Sequence, residues 1–117
     1  MPKDYADIYR HLQELMGRLA AEEPDVMAGF ASLHATATAD GVLSTKTKEL
    51  IALAIGIAVH CDGCIAYHVH DALNAGATRG EIAETIGVAV MMGGGPSVVY
   101  GCEALEAAEQ LERWAAR

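Results

Sequence analysis

Aromatic side chains are scarce in this chain. Tyr, Phe and Trp supply 5% of its 117 residues, whereas apolar side chains of all kinds supply 52%. The interior must therefore come mainly from Ala, Val, Leu, Ile and Met, which suit closely packed helices better than a β-sandwich. Cations are also few: 8 Lys and Arg stand against 16 Asp and Glu, a formal net charge of −8. No basic run occurs. Nucleic-acid backbones and anionic membrane surfaces are held by clustered Lys and Arg, so neither is an expected partner. Long apolar runs are missing too. The longest, Leu50 to Val59, spans ten residues, too few to cross a hydrocarbon core of about 30 Å. Met1-Pro2-Lys3-Asp4 opens no apolar stretch of the secretory kind, which makes a cytoplasmic protein the expectation. Three cysteines in a reducing compartment do not make a disulfide framework. A close pair among them reads as redox-active or metal-binding.

What is present is helical periodicity. The length argues for a single helical domain over residues 1–117. Tyr5, Ile8, Tyr9, Leu12, Leu15, Met16 and Leu19 recur at helical spacing, with Asp4 as N-cap and Arg10, Gln13, Glu14 and Arg18 on the other face. Pro24 opens a second helix through His34, with Phe30 and Leu33 expected inward and His34 leading into a loop. Asp40-Gly41 marks a turn. Ser44 or Thr45 caps a third helix to Val59, whose apolar residues fall on several faces and predict burial nearly all round. The fourth helix is expected over Cys61 to Ala75, stopped by Gly76 in a left-handed conformation. Thr78-Arg79-Gly80-Glu81 has the form of a capping box and opens the fifth, through Met92. Gly93-Gly94-Gly95-Pro96 is a firm break before a last helix to Trp114. No segment alternates like a strand. The expected fold is all-α, a compact bundle of five to six helices.

The chemistry gathers on the fourth helix. Cys61, Cys64 and His68 stand at i, i+3 and i+7 and share one stripe. Both cysteines sit at the helix start, where free backbone N–H groups and the helix dipole favour a thiolate, the reactive form. The spacing lets the sulfurs approach each other, so that one attacks and the other resolves the intermediate as a disulfide. His68 lies one turn beyond Cys64, placed to take and return a proton. If the third and fourth helices fold back around residues 58–60, Glu49 arrives level with His68 and can orient its imidazole.

The spacing Glu49, eleven residues, Cys61-x-x-Cys64, three residues, His68 resembles the alkylhydroperoxidase D-like branch of the carboxymuconolactone decarboxylase family. The similarity runs from about residue 44 to 104, the redox core; residues 1–43, the N-terminal helices, add little to it. The resemblance implies an alkylhydroperoxidase D-like fold assembling as a trimer or hexamer. It also implies peroxide or disulfide reduction. No flavin or nicotinamide fingerprint is visible in the sequence, so no cofactor or metal is expected and electrons should arrive from an external dithiol. The resemblance further implies roles: Cys64 attacks, Cys61 resolves, and His68 and Glu49 relay protons. In the best-studied peroxidases of the family a histidine stands just before the second cysteine. Here that position is Gly63, a loss that a general disulfide reductase tolerates better than a peroxidase.

Two other readings compete. The wider family name suggests lactone decarboxylation or related acid–base chemistry by His68 and Glu49 without the cysteines. A zinc-stabilised, non-catalytic module would use Cys61, Cys64 and His68, with His60 or His70 as fourth ligand, but the second ligand pair usual in structural zinc sites is missing. Outside the motif, His60 and His70 read as surface or interface residues and Cys102 as a small buried apolar group. Tyr67 and Tyr100 read as packing residues, and Val88 to Tyr100 as a subunit interface.

Overall fold

The computed structural model describes residues 2–116. They form six helices: α1 (Tyr5–Glu22), α2 (Pro24–Thr38), α3 (Thr45–Ala58), α4 (Asp62–Asn74), α5 (Arg79–Gly93) and α6 (Gly95–Ala115). No strand occurs among the described residues, and no helix among them is long and apolar enough to cross a membrane.

The helix ends follow local chemistry. Asp4 accepts from the Asp7 N–H at 3.1 Å, and the Ser44 hydroxyl accepts from the Thr47 N–H at 3.1 Å. Thr78 and Glu81 form the reciprocal capping box, at 3.1 and 2.9 Å, which satisfies two N–H groups that a helix start leaves free. Two helices end in Schellman motifs. After α4, Gly76 takes φ +95°, while the Gly76 and Ala77 N–H groups bond back to Leu73 and Ala72. After α3 the left-handed position falls to His60, at φ +60°, and the Cys61 N–H closes the motif on the Gly56 carbonyl at 3.0 Å. That turn folds α4 back along α3.

The core lies between α3, α4, α5 and α6, with α1 laid across α4 and α6. Leu53, Ile57, Ile65, Val69, Ile82 and Leu111 are buried. Ala66, Ala72, Ala104, Ala107 and Ala108 fill the spaces between them, and their small size lets the helix axes approach. Gly101 serves the same end: a methyl group there would come within 2.6 Å of Ile86 Cγ2. Tyr5 is fully buried, and its hydroxyl donates to Glu103 at 2.9 Å. Lys3 bridges Glu103 and Asp62 at 2.9 and 3.0 Å. Burial first, then the Glu103 carboxylate, hold the Tyr5 phenol far above its ordinary titration range.

Four expectations need correction. α2 continues to Thr38, so His34 is helical and not a loop residue. Residues 35–38 are Ala-Thr-Ala-Thr, with no Pro or Gly to stop the helix, and the Thr38 hydroxyl donates to the His34 carbonyl at 2.8 Å. Phe30 and Leu33 do not point into the core; they are 51% and 64% exposed, and α2 contributes no buried residue. α3 is not buried all round, because only one side meets α4, α5 and α6, leaving Ile51, Ile55 and the adjoining Val59 uncovered. Cys102 is exposed, since the buried line of α6 runs instead through Gly101, Ala104 and Ala108.

Candidate active site

Cys61 is the N-cap of α4, and its Sγ accepts the Cys64 N–H at 3.1 Å. Cys64 is therefore the third residue of the helix, facing back over the same turn. The two are joined as a disulfide, with Cα atoms 5.2 Å apart. An N-cap sulfur takes up one of the unpaired amides of the helix start, which stabilises negative charge on it when reduced. The disulfide offers no thiolate, so in this state Cys61 and Cys64 are not zinc ligands.

Two glycines let neighbouring helices reach this turn. A methyl group at Gly56 would lie 3.0 Å from the Cys64 Cβ, and one at Gly63 would lie 2.8 Å from Leu12 Cδ2. Gly56 thus brings α3 against Cys64, and Gly63 makes room for α1. The side chain expected of a peroxidase at position 63 would contend with Leu12 for that space.

The antiparallel α3–α4 pair brings Glu49 and His68 level. His68 Nδ1 lies 2.7 Å from Glu49 Oε1, and Glu49 is 3% exposed. A proton on Nδ1 satisfies the carboxylate and leaves Nε2 as the basic nitrogen. Cys61, Cys64 and His68 line one cavity of about 410 Å³. Leu12 and Met16 of α1, with Met27 and Phe30 of α2, make its walls mainly apolar. All four residues singled out from the sequence are thus brought together.

Two residues of this region were missed. His34 lines the same cavity, its ring centroid 6.5 Å from that of His68. Asp71 also lines it, and His34, Glu49 and Asp71 each place a donor atom within 4.8 Å of the other two. The signal for Asp71 was present, because it extends the stripe Cys64, His68 by one more turn. That for His34 was the spacing Met27, Phe30, His34 along one helix face, hidden by reading residue 34 as loop.

His60 and His70 pack against rings. His70 stacks on Tyr9 with centroids 4.1 Å apart and meets Asp71 at 2.9 Å; it belongs to an aromatic cluster with Trp114 more than to open surface. His60 stacks on Tyr100 at 4.8 Å. Tyr67 packs on Tyr9 at 4.7 Å, and burial raises the phenol titration of both.

Residues 24–107 match the model of the carboxymuconolactone decarboxylase family. An uncharacterised protein of Cupriavidus necator is 37% identical over 102 residues, covering 85% of this chain and 90% of its own length. An apo crystal structure of a carboxymuconolactone decarboxylase family protein from Legionella pneumophila superposes with a TM-score of 0.89 at 46% identity, over 92% of this chain and 96% of that one. A structure from Thermotoga maritima superposes with a TM-score of 0.80 at 27% identity, over 96% of each chain. With this match, the six-helix bundle and the shared architecture, the chain belongs to the carboxymuconolactone decarboxylase family.

Proposed function

We propose that the protein is a thiol–disulfide oxidoreductase that reduces a peroxide or small disulfide with the Cys61–Cys64 pair. In the reduced enzyme His68 takes the Cys64 proton, and the thiolate attacks the outer peroxide oxygen. The O–O bond breaks, an alcohol leaves with the proton returned by His68, and Cys64 becomes a sulfenic acid. Cys61, favoured as a thiolate by its N-cap position, passes its proton to His68 and attacks that sulfur; hydroxide leaves, takes the proton back as water, and the disulfide closes. An external dithiol then restores both thiols. With a disulfide substrate the first attack forms a mixed disulfide, and Cys61 releases the second half as a thiol. Glu49 holds the His68 ring and balances its charge when it is protonated.

The observation that carries this reading is one cavity receiving two helix-start cysteines and an imidazole oriented at 2.7 Å by a buried carboxylate. Its test is mass spectrometry of the reduced protein before and after one equivalent of an organic hydroperoxide. Two thiols should be lost per chain, with the bond mapped to Cys61 and Cys64 and Cys102 unmodified. Retention of both thiols sinks the reading. The His68–Glu49 pair faces an apolar cavity irrespective of the sulfurs, which favours lactone acid–base chemistry as the second reading; activity surviving a Cys61→Ser/Cys64→Ser double change identifies it. Assembly as a trimer or hexamer, and a reducing cytoplasm as the setting for the dithiol donor, belong to the same proposal.

A further inference from the structure

We propose that His34, Glu49 and Asp71 form a binding site for one divalent transition-metal cation, joining α2 to α3 and α4. The three residues come from three helices, and their donor atoms all lie within 4.8 Å of one another. Tetrahedral ligands roughly 2.0–2.2 Å from an ion stand about 3.3–3.6 Å from one another, so rotamer adjustments of about 1 Å close the set. One imidazole and two carboxylates are a donor set for ions such as Zn²⁺ or Mn²⁺.

Charge supports the same conclusion. Glu49 is 3% exposed, yet among the described residues only its Oε1 has a hydrogen-bond partner. Glu49 and Asp71 both line an open depression together with Ser44 and Thr45. No Lys or Arg among the described residues pairs with either carboxylate. Lys46 is engaged by Glu81 at 2.9 Å, and Lys48 donates to the Ala39 carbonyl at 2.6 Å. Each carboxylate has one imidazole partner, His68 for Glu49 at 2.7 Å and His70 for Asp71 at 2.9 Å, and an ion held through their other oxygens with His34 balances the charge that neutral imidazoles leave. Binding through the other oxygen keeps the Glu49–His68 hydrogen bond, which then orients the ligating carboxylate. It also anchors α2, the helix with no buried residue of its own. The inference does not depend on the redox reading, and its ligands differ from the cysteine-based zinc set.

The test is calorimetric titration of Zn²⁺, and separately Mn²⁺, into the untagged, chelator-stripped full chain in its disulfide form, with Cys102→Ala to remove the free thiol. One ion should bind per chain and raise the Tm. H34Q and D71N should each weaken binding at least about tenfold and abolish the Tm rise, while H11Q, a change at an exposed histidine of α1 away from the site, should bind as the parent does. His34 and Asp71 are both partly exposed, so neither change empties a core position. Binding that is undetectable at submillimolar metal overturns the proposal. So does binding that appears only after the disulfide is reduced, or that persists in H34Q and D71N.

Discussion

In the proposed reaction His68 needs a fixed ring, because an imidazole on a helix face turns freely unless something holds it. The buried Glu49 carboxylate supplies that constraint at 2.7 Å. Removing the base should cost on the order of 10²–10⁴-fold in the rate of peroxide-driven thiol oxidation. His68→Gln is the variant, and stopped-flow tryptophan or absorbance kinetics the measurement. Glu49→Gln keeps the size and one hydrogen bond but loses the charge, and should slow the step at least about tenfold. An unchanged rate in either variant removes that residue from the mechanism. A second residue-scale effect concerns alkali. The Tyr5 phenol is raised in the folded chain by burial and by Glu103, so the fold favours its protonated form. Its contribution to stability is complete below the ordinary phenol range, near pH 10, and is lost as pH rises above it. Urea unfolding should therefore show falling stability above about pH 10, with a smaller fall in Tyr5→Phe. Tyr9 and Tyr67, raised mainly by burial, keep part of the slope in that variant.

At the scale of elements, the site depends on how α1 and α3 approach α4. Gly63 is where α1 approaches: Leu12 occupies the space that a side chain at 63 would need. Gly63→His forces the Leu12 terminal methyl aside and should destabilise by about 1 kcal/mol or less, at the low end of overpacking costs. Leu12→Ala in the same chain should recover part of that loss, a coupling measurable by a double-mutant cycle in denaturant unfolding. Additive losses would show that the two positions do not compete. At the other end of α4, Gly76 sits at φ +95°, where a side chain is strained. Gly76→Ala should cost roughly 1–2 kcal/mol and lower the Tm without changing the chemistry of the cysteines.

On the scale of the whole molecule, the isolated chain leaves large apolar side chains uncovered: Met91 and Met92 are 73% and 77% exposed, and Val88, Val98, Val99, Ile51 and Ile55 are about half exposed or more. A soluble chain seldom leaves such a surface bare, and association with copies of itself is the ordinary way to cover it. Light scattering should give three or six times the 12.3 kDa of one chain, and Met91→Asp should shift the protein to smaller species. A wild-type monomer at working concentration would rule that assembly out.

The all-helical class, nearly every helix end and the Cys61, Cys64, His68 stripe are local matters, carried by capping chemistry and helical spacing within a few residues. They were therefore legible in the chain itself, as was Glu49 once a hairpin of α3 and α4 was assumed. The inward or outward turn of Phe30, Leu33, Ile51, Ile55 and Cys102 was not, because an apolar residue on a helix carries no record of whether another helix will cover it. Nor was the convergence of His34 and Asp71 on Glu49. It joins residues of three helices, and only the packing of α2 against the end of α3 brings them within reach.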